Sequence, residues 1–466
     1  MKKQIFTYCM LLISCAIFSQ AGHIMQGVGA VNMSMGGAAT AQPLDINGAL
    51  QWNPAAISVF SGKEVSLSAG LFFSDPTLKS SFGPFSGETA DDRGTSIMPA
   101  LAFVWGKEDS KHTFGVSAFG ISGFGVTFPQ DNNYPQDLQG NGNPNFDPAA
   151  GTNPISFPQL AGGFGHIESD YILLQVGLAY SYKLSEKVSI GLQPTINYAT
   201  LELAPNPTSA PSQTLGYPTT DAASAIGYGG QIGIFYDSGK MLKLGASYKT
   251  KQEFSDFTFE NTYLNDTAAP DNDFQMNYPA IISVGMGLSG KKLDFALDLR
   301  YVDYDSTEGF AEKGWAIDEA TGFPTGAVKG FGWESMTILS AGLQYKIKEN
   351  FPVRIGYTYS SNPISDELAF FSIPATAVIK DAAQIGFGYQ VTDKFKVDAV
   401  YHQGFRGKGS SGQLLNPTPD QDFNNDGNPD GPWNADTNPL GIVPGSSVSY
   451  DMETSMIQFT FSYKLN

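Results

Sequence analysis

The sequence predicts an all-β protein, a transmembrane antiparallel β-barrel of about fourteen strands. Three observations predict it. Apolar and polar residues alternate with period two in segment after segment; short and long connections alternate between those segments; and the chain opens on a secretory leader.

The leader is the simplest to justify. Met1, Lys2 and Lys3 make a basic start, an apolar run extends from Ile5 to Phe18, and small residues at Ser19 and Ala21 offer a cleavage point. Residues 1–21 therefore read as a signal peptide, too short for a stable membrane span. Both cysteines, Cys9 and Cys15, fall inside it, so the mature chain is expected to have no disulfide, thiolate metal site or nucleophilic cysteine. Leu12-Ile13-Ser14-Cys15 also resembles a lipobox, the alternative in which Cys15 is lipidated and becomes the mature N-terminus.

Beyond the leader no stretch approaches the roughly 20 apolar residues of a membrane helix. Mean hydropathy is −0.15, as a barrel gives when lipid-facing apolar residues alternate with polar residues facing the lumen. Without Lys2 and Lys3, 25 basic residues stand against 45 acidic ones. That balance argues against a nucleic-acid partner and suits loops in water, with divalent cations as counter-ions.

The clearest strand carries Ile172, Leu174, Val176, Leu178, Tyr180 and Tyr182 on one face and Gln175, Gly177, Ala179, Ser181 and Lys183 on the other. Period two over this length means one apolar face and one that tolerates water. The pattern recurs over 188–203, 226–237, 242–259, 281–289, 293–305, 337–347, 353–360, 382–391, 395–405 and 452–465. Less regular candidates are 64–73, 96–106 and 111–128. Connections at 106–111, 185–187, 237–240, 289–292, 348–350 and 392–394 are short. Those near 74–95, 129–169, 205–225, 260–278, 306–335, 361–380 and 406–450 are long and polar or proline-rich. The two kinds alternate and so occupy opposite rims. Short turns belong in the periplasm and long loops outside an outer membrane, which puts both termini in the periplasm. The last strand sets Ile457, Phe459, Phe461, Tyr463 and Leu465 against Gln458, Thr460, Ser462 and Lys464. It resembles the terminal signal read by the barrel-assembly machinery, offset by one through Asn466. The expected state is a monomer surrounded by outer-membrane lipid.

Enzymatic readings find little support. There is no Gly-x-Ser-x-Gly elbow, His-Glu-x-x-His helix or phosphate-binding loop. His402 falls on an inward register but has no serine constellation around it. No cofactor is required by any motif. One loop follows the oxygen spacing of calcium loops, with Asp422, Asn424 and Asp426 as alternate ligands, Gly427 at the turn and Asp430 beyond. Trp433 stands where such loops carry a bidentate glutamate, and the alternative is a solvated Asn/Asp/Gly loop.

Residues 22–62 do not alternate and are too polar and glycine-rich for a membrane strand. They read Gly27-Val28-Gly29, Met33-Ser34-Met35-Gly36-Gly37-Ala38, an acidic Asp45, and Trp52-Asn53-Pro54-Ala55-Ala56. This segment resembles the N-terminus of the FadL/TodX (OmpP1) family of outer-membrane transporters of long-chain fatty acids and other hydrophobic compounds. Phe331-Gly332-Trp333-Glu334, Ala341-Gly342-Leu343-Gln344-Tyr345-Lys346, Arg354-Ile355-Gly356-Tyr357, Asn362-Pro363-Ile364, Gly386-Phe387-Gly388-Tyr389 and Asp398-Ala399-Val400-Tyr401 extend the resemblance over nearly the whole mature chain.

The resemblance implies a fourteen-stranded barrel over 63–466 with residues 22–62 folded inside as a hatch. It further implies gated diffusion of a long-chain fatty acid or other hydrophobic small molecule past the hatch, and sideways release where the third strand kinks. Asn53, Pro54 and Ala55 are the candidate gating residues of the hatch, expected to move as a ligand passes; Gly123, Phe124 and Gly125 are the candidate kink and lateral opening, although these glycines would equally serve barrel curvature. Among inward-register cations, Lys249, Arg300 and Arg354, Arg300 shares its face with Asp294 and Asp298 and reads as an internal salt bridge rather than a ligand anchor. The alternatives are a general porin or an adhesin using the 406–450 loop.

Overall fold

A strand that crosses lipid must pair every backbone N–H and C=O, and a sheet with free edges cannot. The computed structural model, which describes residues 23–407, 409–423 and 425–465, meets that demand by closing. The expected leader with its two cysteines, and Asn424, lie outside the described residues. Among the described residues fourteen antiparallel strands form the wall. They are β1 (Gly62–Phe82), β2 (Thr95–Gly106), β3 (His112–Phe128), β4 (Ile167–Lys183), β5 (Val188–Ala204), β6 (Ala223–Asp237) and β7 (Leu242–Lys249). The second half comprises β8 (Ala280–Ser289), β9 (Leu293–Asp303), β10 (Met336–Lys348), β11 (Phe351–Ser360), β12 (Asp381–Gln390), β13 (Phe395–Gly404) and β14 (Ser447–Leu465). Each strand pairs with its sequence neighbours, and β14 returns to β1 from Lys63↔Leu465 to Ser81↔Ser447.

Burial is inverted relative to a water-soluble sandwich. In β14, Ile457 is 43% exposed while its neighbour Gln458 is 1% exposed. The apolar face looks outward to lipid and the polar face inward, as the alternation predicts.

Two elements depart from the sequence expectation. The expected loop at 74–95 is partly strand: β1 runs on to Phe82, turns at Gly83 and pairs with Phe85–Ala90. The expected strand 242–259 breaks at Lys249. Glu253–Phe254 pairs back to β6, and Phe257–Phe259 pairs with Asn272–Phe274. Period two fails at the break, because the buried Phe254 and Phe257 lie three residues apart. Tyr248 faces out, whereas Phe254, Phe257 and Phe259 are buried beneath the loops.

The lumen holds the N-terminal segment. Met25 and Leu44 aside, every residue from 23 to 58 is buried. It carries α1 (Ala30–Ser34), α2 (Ile46–Trp52) and a 3-10 turn over Pro54–Val59. Asp45 starts α2, its Oδ1 accepting from Gly48 N at 3.1 Å. Asn53 ends α2, its Oδ1 accepting from Ala55 N at 3.0 Å, and Pro54 opens the next turn. The wall thins to glycine where this segment presses on it. A Cβ on Gly356 would lie 2.2 Å from Gly36 N, one on Gly245 2.1 Å from Thr40 O, and one on Gly191 2.3 Å from Ala55 N. Wall glycines here make room for the hatch.

Candidate functional site

Two of the points that fasten the hatch to the wall lie at Asp298 and Asn53. Asp298, inward on β9, accepts through Oδ2 from Ala39 N and Thr40 N, each at 2.9 Å, and from Arg300 Nη2 at 2.7 Å. Arg300 Nη2 also donates to Gly37 O at 2.7 Å, and its guanidinium lies 3.7 Å from the centroid of Trp52. The pair is an internal salt bridge, as its register suggested, and it also holds the hatch. Both members are about 1% exposed. The second fastening is Asn53, whose Nδ2 donates to Thr40 O at 2.8 Å and to Ile234 O of β6 at 3.0 Å. Beside it Gln231 Nε2 donates to Trp52 O at 2.7 Å and Ser181 Oγ to Ala55 O at 3.0 Å. Asn53, Pro54 and Ala55 thus sit against β4, β5 and β6.

The third strand departs from the regular ladder on the far side of the hatch. β2 pairs with β1 along its whole length, and β3 pairs with β4 to Phe128. Between β2 and β3 the pairing stops at Ala100↔Phe119. Next in line on β2 is Pro99, which has no N–H to extend a ladder. Opposite, the β3–β4 register breaks between Gly120 and Ser122, leaving Ile121 as the extra residue of a bulge. The free edge of the bulge is taken from inside by the first described residues of the hatch. Met25 N donates to Ile121 O at 2.9 Å and Gly123 N to His23 O at 3.2 Å.

A cavity of about 360 Å³ occupies the split, walled by Phe72, Ile97, Met98, Phe124, Tyr171 and Leu174. Gly123, Phe124 and Gly125 all line it, but the register break falls at Ile121. Gly125 has a different task. A Cβ there would lie 1.0 Å from Arg93 Nη1, so the missing side chain is the path by which Arg93 crosses the strand. Arg93 Nη1 donates to Ser169 O at 2.9 Å and Phe124 O at 3.4 Å, and Nη2 pairs with Asp170 at 2.8 Å. Asp92 N donates to Thr127 O at 2.8 Å and Asp91 Oδ1 accepts from Thr127 N at 2.5 Å, completing a strap across the outer end of the split.

At the inner end stands His23. Its ring stacks on Phe310 at 4.7 Å and meets Phe124, Tyr171, Tyr278, Tyr304 and Trp333 at centroid distances up to 6.3 Å. Tyr304 Oη lies 2.7 Å from His23 Nδ1, while His23 Nε2 and Tyr171 Oη are buried without a hydrogen-bond partner among the described residues. Burial alone pulls the His23 imidazole down to about 3, so it is neutral at ordinary pH. Higher up, four long loops bring Phe164, Tyr217, Trp315, Phe370 and Phe371 around a cavity of about 40 Å³.

The other expected positions lie apart from this site. Lys249 is buried in the lumen and donates to Gln175 Oε1 at 3.1 Å; Arg354 is held by Asp398 at 2.9 Å and Gln344 at 2.7 Å. His402 is buried with Gln384 Nε2 3.1 Å from its Nδ1. In the outer loop Asp422 accepts from Asp426 N at 3.0 Å and Gly427 N at 2.7 Å, and Asp430 accepts from Phe423 N at 2.7 Å. Among the described residues no group of three or more His, Cys, Asp or Glu is placed to hold a metal ion. Sequence reasoning paired Asp298 with Arg300 but missed its bonds to the hatch, and it missed Arg93 and His23. Pro99 in an otherwise alternating strand was the available signal for the split.

Residues 157–426 match the family described as outer membrane protein transport protein (OMPP1/FadL/TodX). The toluene transporter TodX of Pseudomonas putida is 17% identical, with a TM-score of 0.64 over 95% of this chain and 99% of that one. The toluene transporter TbuX of Ralstonia pickettii is 15% identical, with a TM-score of 0.61 over 95% and 99%. A FadL homologue of Pseudomonas aeruginosa is 14% identical, with a TM-score of 0.66 over 96% and 100%. At these identities the likeness is one of fold. No curated protein matches the sequence.

Proposed function

The chain belongs to the OMPP1/FadL/TodX family of outer-membrane transport proteins for hydrophobic compounds, and we propose that it takes up long-chain fatty acids or other hydrophobic small molecules by gated diffusion past the hatch and lateral release between β2 and β3. The observation that carries this reading is the split in the wall, backed by a cavity with an apolar side at Phe72, Ile97, Met98, Phe124 and Leu174 and stopped from inside by the hatch tip. In this reading the aromatic pocket under the long loops receives the molecule from outside. The tip at residues 23–25 then moves, while Asn53, Pro54 and Ala55, expected from the sequence to gate, are bonded to β4 and β6 and serve in this reading as the fixed end. The cargo leaves through Phe124, Ile97 and Met98 into lipid.

The driving force is ordinary transfer chemistry. Each buried CH₂ gains about 0.8 kcal/mol over water, so an alkyl chain prefers an apolar route throughout. A second cargo class, monoaromatic hydrocarbons, is favoured by the six rings around His23 and by the toluene carried by TodX and TbuX. The buried hatch argues against a general porin. Periplasmic short turns and termini, insertion by the barrel-assembly machinery and a monomeric state belong to the same proposal. We also propose that the 422–430 loop takes calcium only by turning Asp422, Asp426 and Asp430 from amides to one centre.

The decisive experiment uses the full chain reconstituted in liposomes, with labelled oleate, labelled toluene and a small sugar measured separately. Faster flux of oleate or toluene than in empty liposomes, with the sugar excluded, is expected, and the faster of the two names the cargo class. Free passage of sugar, or no acceleration of either hydrophobic probe, would sink the proposal.

A further inference from the structure

The short-turn rim has a charge opposite to that of the molecule. The chain is strongly acidic overall, yet each of the six short turns carries at least one lysine in it or beside it, such as Lys107, Lys187, Lys240 and Lys394. Most of the 45 acidic residues stand instead on the long-loop side. At one place this basic rim is shaped into a site.

Where β1 begins beside the β2–β3 turn, a cleft of about 740 Å³ is bounded by Lys63, Lys107 and Glu108 above Trp105, His112 and Phe114. Its apolar wall is a continuous run of rings. Trp105 stacks with Phe103 at 5.2 Å and Phe114 at 5.4 Å, and Phe114 meets Tyr180 at 5.2 Å. The Tyr180 hydroxyl lies 2.7 Å from His112 Nδ1, which fixes the far end of the run. Lys63 and Lys107 are exposed, and neither forms an ion pair among the described residues.

We propose that this cleft holds the phosphate of an anionic phospholipid from the leaflet that faces the short turns. Two free ammonium groups supply the charge that a phosphate diester seeks, and aromatic rings at a membrane interface accept the glycerol and upper acyl carbons. The wall below Phe114 faces lipid, so the acyl chains of the occupant stay in the bilayer while its headgroup rises to the lysines. Glu108 at the lip weakens the site for a small free anion, which has no chains to hold it. The occupant is therefore a lipid and not a soluble phosphate.

The test is lipid retention by native mass spectrometry on the full chain extracted from vesicles of equal phosphatidylglycerol and phosphatidylcholine. Phosphatidylglycerol should be retained about tenfold over phosphatidylcholine, the effect expected of two interfacial lysines after partial screening. K63Q/K107Q should abolish the preference, whereas K63R/K107R and K291Q/K292Q, in another short turn of the same rim, should keep it. Millimolar glycerol 3-phosphate should not compete. Equal retention of the two lipids, an unchanged preference in K63Q/K107Q, a matching loss in K291Q/K292Q, or displacement by glycerol 3-phosphate would each overturn the assignment. Heat-modifiable migration on gels establishes that each variant is folded; should K63Q/K107Q misfold, loss of the preference in folded K63R/K107R would overturn it in the same way. This proposal does not rest on the cargo, so its failure leaves the transport reading untouched.

Discussion

Replacing Asp298 with alanine isolates the fastening of the hatch from the integrity of the wall. The substitution removes one carboxylate that accepts from Ala39 N, Thr40 N and Arg300 Nη2, and it leaves the Arg300 guanidinium buried at 1% exposure without its counter-charge. Removing one member of a buried ion pair costs about 3–5 kcal/mol. The barrel retains its ladders on both sides of β9, so that loss falls on the seated position of residues 37–40. A shift of this size changes the ratio of displaced to seated hatch by roughly two to four orders of magnitude. The assay is conductance in planar bilayers, together with sugar efflux from liposomes. Wild-type protein should be nearly silent, and D298A should show frequent openings and measurable efflux. D298N, which keeps an oxygen acceptor for the two amides, should fall between them. A folded D298A barrel as silent as wild type would refute the argument that Asp298 holds the hatch shut.

Three further outcomes follow from the same geometry. Arg93→Gln removes the strap's salt bridge and its bonds to two carbonyls; with Asp170 45% exposed the pair is discounted for solvent screening, leaving about 1 kcal/mol and a rise in initial uptake of roughly fivefold, while a fall in uptake would show that Arg93 assists passage rather than restraining it. His23 has a lowered pKa of about 3, so its stabilising contribution is complete above the unfolded value near 6.5 and is lost as pH falls toward 3. A fluorophore on M25C should therefore become solvent-accessible only in acid, and the H23F variant should remove the transition; a transition that survives in H23F would assign it to another group. Proteolysis in the 422–430 loop should slow only at millimolar calcium, as in weak extracellular sites, and protection at micromolar calcium would mean a preformed cage.

The wall was legible because lipid imposes period two on every strand and each short turn must return the chain. All fourteen strands lie where alternation places them. The strand expected over 242–259 reads past its end because Phe254, Phe257 and Phe259 carry the run of apolar residues beyond Lys249 while turning inward. The β1 extension was hidden for the opposite reason: Ser80, Ser81, Phe82 and the residues of its hairpin stand above the bilayer, where no apolar face is required. The candidate site was legible only in part. Gly123 and Gly125 drew attention to the strand that carries the register break, but Gly125 is explained by Arg93, which is distant in sequence. Asp298 and Arg300 could be paired by register; that their partner is the hatch depends on a contact 259 residues away.

The hatch and the wall split are one device and not two. The bulge at Ile121 leaves a carbonyl and the following Gly123 N–H with no partner on β2, because the ladder has already ended at Ala100 and Pro99 cannot donate. Residues 23–25 supply both missing bonds from inside the lumen. If the tip withdraws, two backbone groups are bared to an apolar cavity, and each unsatisfied group costs on the order of 1–3 kcal/mol. That cost opposes opening while the cavity is dry and falls when water or a polar ligand atom reaches Ile121 O and Gly123 N. On the proposed route, leakage would be limited by the same backbone atoms that shape the exit, and a cargo's polar end would replace the tip as its chain passes Phe124.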